Sequence, residues 1–119
     1  MNRSSRVFIA GSKSLPRAAL SELLPELGFN HLVGIDDEPD LADVLAVESF
    51  FAEVKPEFVF LVGGRSGGIE CNRNSPADLM IDNLRVIANI VDAAHRFGVR
   101  KLLYLASACA YPKLASQPM

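Results

Sequence analysis

Ser107, Cys109 and Tyr111 carry side chains that can move protons or hold an oxygen, and they sit within five residues of one another. They follow Lys101-Leu102-Leu103-Tyr104-Leu105-Ala106, an apolar run of the kind a buried parallel strand needs. The carboxyl ends of such strands are where an open α/β sheet binds its ligands. A serine there can hydrogen-bond a substrate carbonyl, and a cysteine serves as acid or base once its pKa is tuned. In extended chain, residues 107 and 109 point to the same side. The commoner role of a lone cysteine near a strand end is buried packing, and the pattern leaves both readings of Cys109 open. Tyr111-Pro112 reads as a turn and His95 as a helix-end charge.

A second set of residues could hold phosphates and sugars. Arg6 to Ala10 is a β-rich run ending at Gly11, followed by Ser12, Lys13, Ser14 and a helix. A glycine-rich turn of this type lets backbone N–H groups approach a pyrophosphate at the helix N-terminus. The spacing GxxGxxG would place glycines at 14 and 17, where this chain has Ser14 and Arg17. An ordinary strand-to-helix turn with a capping serine is the alternative. After the second strand come Asp36 and Asp37. A carboxylate there takes an adenosine ribose 2′-hydroxyl and repels a 2′-phosphate, so charge favours NAD over NADP; an acidic surface turn is the other reading. Gly63, Gly64, Gly67 and Gly68 permit close backbone approach to a ligand, or form a mobile loop.

The elements that must position these residues alternate. Arg6–Ala10, His31–Ile35, Glu57–Val62 and Lys101–Ala106 read as strands. The first helix follows an N-cap at Ser14, with Leu20, Leu23, Leu24 and Leu27 as its apolar face and Gly28 as its stop. Asp43 caps the second, whose buried set is Val44, Val47, Phe50, Phe51 and Val54. The glycine-rich loop runs on to Asn74. Ser75-Pro76-Ala77-Asp78 then starts a helix extending to about Phe97, with Gly98 beyond it and Leu79, Val86, Ile87, Ile90, Val91 and Ala94 as its stripe. Alternation of this kind predicts an α/β fold: a Rossmann-like parallel sheet of about four strands, order 3-2-1-4, with flanking helices.

The 119 residues form one domain with half its residues apolar and a net charge of -2. That charge gives no reason to expect nucleic acid or an anionic membrane as partner. No apolar run is long enough for a membrane span or a signal-peptide core, so the expected location is cytoplasmic. Cys71 and Cys109 make no disulfide framework, and neither has the neighbours of a metal site.

The chain resembles the extended short-chain dehydrogenase/reductase family, the NAD-dependent epimerase/dehydratases, and within it the GDP-L-fucose synthase branch. The likeness rests on Arg6-Val7-Phe8-Ile9-Ala10-Gly11, Gly67-Gly68-Ile69, Asn72, Pro76-Ala77-Asp78, Asn83, Asn89-Ile90 and Ala93-Ala94-His95. It is densest from Gly67 onward, and the run from Lys101 through Ser107, Cys109, Tyr111-Pro112-Lys113-Leu114-Ala115 and Gln117-Pro118-Met119 is specific to the fucose-synthase branch. The resemblance implies an enzyme that binds NADP or NAD, epimerises C3 and C5 of GDP-4-keto-6-deoxymannose and reduces its C4 ketone. It implies that Ser107 holds the keto oxygen and Cys109 is the acid/base of epimerisation. It matches Gly11, Ser12, Lys13 and Leu15 to the pyrophosphate turn, and Asp40 and Leu41 to the adenine-side segment. Val62, Gly63 and Gly64 match the segment under the cofactor, and Asn83 a helix position near the site. Asp36 stands where the family often has a basic residue for the 2′-phosphate. The family's Tyr-x-x-x-Lys pair and substrate domain have no counterpart in residues 1–119. The expectation is therefore a partial NAD(P)-binding domain, not catalytically complete alone. The alternative is a non-enzymatic module that binds a nucleotide, or dimerises through the open edge of its fourth strand.

Overall fold

Val7, Phe8, Ile9 and Ala10 have no accessible surface, and the rest of the fold is built around this strand. The computed structural model describes residues 1–11, 14–107, 110–112 and 114–115. In chain order the elements are β1 (Val7–Ala10), α1 (Leu15–Glu26), β2 (Leu32–Val33), α2 (Val44–Val54), β3 (Phe58–Leu61), α3 (Gly68–Asn74), α4 (Pro76–Arg96) and β4 (Lys101–Tyr104). All strand pairs are parallel.

Side chains alternate across the sheet and feed two cores. Phe8, Ala10, Val59 and Leu61 meet Val47, Phe50 and Phe51 of α2 and Val86, Ile90, Ala93 and Ala94 of α4 on one face. Val7, Ile9, Phe58 and Val62 meet Leu24 of α1 on the other. The Phe8 ring lies 4.7 Å from that of Phe50 and 6.0 Å, edge-on, from that of Phe51.

The Rossmann-like class is as expected, but the strand order is 2-1-3-4 rather than 3-2-1-4. Helix placement explains the difference. A right-handed crossover moves the chain one way when its helix lies on one face and the other way when it lies on the opposite face. α1 carries the chain from β1 to β2. Because α2 packs on the opposite face, the next crossover returns past β2 to the free edge of β1. β3 therefore sits between β1 and β4, in register with both.

Several local expectations also shift. β2 is only two residues long. The second half of the glycine-rich loop is the short helix α3, with Glu70 in its first turn, Arg73 in its last, and Asn72 donating to the Gly68 carbonyl. Leu23 and Leu27 of the predicted apolar face of α1 are exposed, because the helix meets the sheet only along the narrow line of Leu20 and Leu24. Val44 and Val91 are likewise exposed. β4, read as a buried strand, is an edge strand whose residues are largely exposed. Among the described residues no helix is long and apolar enough to cross a membrane.

Candidate functional site

From β1 the chain moves to one side of the sheet, and from β2 it crosses to the other. The gap between the carboxyl ends of β1 and β3 is thus the topological switch point, where open α/β sheets bind ligands. Gly11 ends β1 with φ +114°. A Cβ there would run into the backbone of Gly63 just beyond β3, so the close approach of the two strand ends requires glycine. In front of them opens a cleft of about 800 Å³. Its walls come from Gly11, the β2–α2 loop (Glu38 to Asp43), the loop after β3 (Gly64 to Ser66) and Asp82, Arg85 and Val86 of α4.

One buried network shapes the β2 side of this cleft. Arg17, in the first turns of α1, is 8% exposed. Its guanidinium donates to the Ile9 carbonyl (2.9 Å), to the Gly34 and Ile35 carbonyls (2.8 and 2.9 Å) and to Glu38 (2.5 Å). The same Glu38 oxygen accepts the Gly11 N–H at 2.8 Å. The long side chain that replaces a fingerprint glycine therefore turns down between the ends of β1 and β2 and leaves the cleft open. Ser14 caps α1: its hydroxyl accepts from the Arg17 N–H and donates to the Gly11 carbonyl.

Of the candidate residues, Gly11, Asp40, Leu41 and Gly64 line the cleft. Val62 and Gly63 lie beneath it; the Val62 N–H donates to the Ala10 carbonyl, extending the strand pairing past Leu61. Asn83 acts at one remove. Its amide donates to the carbonyls of Arg65 and Leu79, and its oxygen lies where a Cβ on Gly64 would fall. It thus pins the loop after β3 to α4. Leu15 is exposed at the start of α1, and Asp36 is exposed and stands outside the lining. The carboxylate at the β2 end is Glu38 instead. Ser107 is exposed just past β4; Leu61 and Tyr104 are register partners, so the chain leaving β4 emerges beside the chain leaving β3. The candidates Ser12, Lys13 and Cys109 lie outside the described residues.

Sequence reasoning missed Arg17 as a structural residue, Glu38, and the pair Arg65–Asp82 (2.5 Å) on the far wall. Asp82 raises the Arg65 pKa further above its ordinary value, through the hydrogen bond first and its charge second. The signal for the first two was an arginine where glycine was expected, with an unassigned glutamate in the acidic turn.

The lining fits the adenosine half of a dinucleotide. Leu41 and Val86 give apolar surface for a flat base, the carboxylates of Glu38 and Asp40 can accept ribose hydroxyls, and glycine keeps the backbone bare at positions 11 and 64. Comparison with known proteins places the chain in a family. Residues 8–119 match the NAD dependent epimerase/dehydratase family. The chain belongs to that family. Among its relatives, GDP-L-fucose synthase 1 of Arabidopsis thaliana is 41% identical over 119 residues, covering 99% of this chain and 37% of the relative. GDP-L-fucose synthase of Escherichia coli (strain K12) is 44% identical over 115 residues, 96% of this chain and 36% of the relative. The solved GDP-mannoheptose C4 reductase MlghC of Campylobacter jejuni, with NADP bound, superimposes with a TM-score of 0.90 at 37% identity, over 100% of this chain and 38% of that one. This epimerase/dehydratase-family chain thus spans little more than a third of the length of the relatives it matches.

Proposed function

We propose that this chain is the dinucleotide-binding, N-terminal portion of a GDP-sugar epimerase-reductase similar to GDP-L-fucose synthase. The observation that carries the reading is the cleft at the β1/β3 switch point, floored by bare backbone at Gly11, Gly63 and Gly64, in a chain 41% identical to one GDP-L-fucose synthase and 44% to another. In this reading Gly11, Ser12, Lys13 and Leu15 form the turn that faces the pyrophosphate, and Asp40 and Leu41 flank the adenine. NAD(P)H, when bound, supplies the hydride for reduction of a sugar ketone. Ser107 holds the keto oxygen, and Cys109 takes or gives a proton at the carbon beside the carbonyl, on a substrate of the GDP-4-keto-6-deoxymannose class. Titration calorimetry of the purified chain with NADH and NADPH tests the assignment. Saturable binding of at least one, abolished by Gly64→Trp in the cleft floor, is the expected result; no binding of either overturns it.

One feature favours a second reading, a module that pairs with its own copy. The outer edge of β4 has no partner strand among the described residues, and Leu103, Tyr104 and Leu105 are exposed along it. Such an edge is a template for another strand. Sedimentation velocity across micromolar concentrations distinguishes the two: a dimer that Leu103→Lys dissociates supports pairing, and a monomer throughout removes it.

A further inference from the structure

The geometry points to Asn89 of α4 as a positioning residue for the cofactor: its side-chain amide locks the Leu41–Ala42 peptide of the β2–α2 loop, and that peptide aims Asp40 at the adenosine end of a dinucleotide. The inference rests on the dinucleotide reading proposed above and adds to it a residue that stands behind the cleft wall rather than in it.

A loop that meets a ligand binds more tightly when its backbone is already ordered, because the ordering entropy is not lost on binding. The stretch from Asp40 to Asp43 is held from three directions. Within the loop, the Asp43 N–H donates to the Asp40 carbonyl at 3.1 Å, and the Ala42 N–H donates to the Asp40 carboxylate at 2.9 Å. Toward α2, the Asp43 side chain caps the helix. Toward α4, the Asn89 amide donates to the Leu41 carbonyl at 3.0 Å.

The bonds at Leu41 and Ala42 act on one rigid unit. The Leu41 carbonyl and the Ala42 N–H share a peptide plane and point opposite ways. Asn89 draws the carbonyl to α4, which leaves the N–H facing the Asp40 carboxylate. Turning that plane would break both bonds together. Asp40 is exposed and lines the cleft. Its carboxylate keeps acceptor capacity beyond the Ala42 N–H, so it is equipped to meet a ligand. Leu41 itself is 8% exposed and packs in the core shared by α2 and α4. That packing fixes where the loop sits. It does not fix which way the peptide turns, because apolar contact is non-directional and a hydrogen bond is not.

The same helix holds the opposite wall. Asn83 donates to the Arg65 carbonyl at 2.9 Å and to the Leu79 carbonyl at 2.8 Å. Asn83 and Asn89 stand three residues either side of Val86, which lines the cleft. Residues three apart on a helix are neighbours, so the two amides flank Val86 on one side of α4. One rigid element thereby sets both walls, as a preformed site requires.

The test is calorimetric titration of the 119-residue chain with NADPH and with NADH, the tighter ligand then being carried through the variants. Asn89→Ala removes the amide and keeps a good helix former in α4. It is expected to weaken binding about fivefold. Asn89→Asp keeps the shape and replaces the donor with an acceptor; it should weaken binding at least as much, and it decides the matter if the alanine variant does not fold. Asp40→Ala, at an exposed position, should weaken binding by a similar factor. In that background Asn89→Ala should change affinity less than about twofold, because the group it aims is gone. Hydrogen exchange gives a second readout: the Ala42 amide should exchange faster in Asn89→Ala while the β1 amides stay protected. Unchanged affinity in both Asn89 variants, additive losses in the double variant, or faster exchange spread evenly over the chain overturns the positioning role and leaves the dinucleotide site standing. Binding of neither dinucleotide by the parent chain overturns the dinucleotide reading, and the positioning role falls with it.

Discussion

Arg17 joins α1, β1 and β2 through one side chain. β2 is short, and the carbonyls of Gly34 and Ile35 at its end take their hydrogen bonds from the Arg17 guanidinium. Removing that side chain strands those acceptors and takes the Arg17 guanidinium away from the Glu38 carboxylate. Breaking a buried pair in this way costs about 3–5 kcal/mol, against a total stability of roughly 5–15 kcal/mol for a domain. Arg17→Gly, which would restore the family's glycine, is therefore expected to unfold the chain or bring its urea midpoint far down, as circular dichroism would record. A midpoint equal to the parent's would show that the network contributes little. Gly11 is constrained in another way. Its φ of +114° and the proximity of Gly63 leave no room for a Cβ. Gly11→Ala should cost about 2 kcal/mol or more in the same melt. The glycine was legible from its place at the end of a β-rich run. The arginine was legible only as a departure, because nothing in the sequence says whether a long side chain at position 17 points into the cleft or beneath it.

The helix boundaries follow from local chemistry that sequence displays directly. Asp43 is read as an N-cap and is one: its carboxylate accepts from the N–H groups of Leu45 and Ala46. Asp43→Ala should lower stability by about 1 kcal/mol, measured by chemical denaturation; a change below a few tenths would mean that solvent replaces the cap. The Ser14 cap is likewise present, and Gly28 and Gly98 take positive φ just past their helices. Ser75 precedes α4 but makes no side-chain cap hydrogen bond. Strand order lay beyond reach because it depends on which face of the sheet α2 covers. Val47, Phe50 and Phe51 give α2 an apolar side, but the pattern is the same whichever face receives it. The short helix α3 was missed for a related reason: four glycines between 63 and 68 mark a loop strongly enough to mask the helix-compatible residues that follow. Val91 and Leu23 fit helical periodicity yet stay exposed, since periodicity marks a stripe and the neighbouring elements decide its width.

At the scale of the molecule, the ends of β1 and β3 meet at one opening, β1 at the bare backbone of Gly11 and β3 at the loop that begins with Gly63 and Gly64. β4 runs parallel beside β3 and leads to Ser107. That arrangement suits the cofactor side of a reductase, but reduction of a ketone also needs a proton for the developing alkoxide. The family resemblance assigns that proton to a tyrosine with a lysine four residues on, where the cation lowers the phenol pKa. Tyr104 is followed at that spacing by Ala108 and Tyr111 by Ala115, so neither forms the pair. Residues 1–119 cover 37% and 36% of the length of two relatives near 40% identity. The 119-residue chain is accordingly expected to form no product from GDP-4-keto-6-deoxymannose and NADH or NADPH, even at saturating ligand, when dinucleotide oxidation is followed at 340 nm over hours. Binding without turnover would show that residues 1–119 hold the dinucleotide without supplying that proton. Turnover above the rate without protein would mean that Ser107, Cys109 or Tyr111 can supply the proton, and would return the chemistry to the residues that close the sheet.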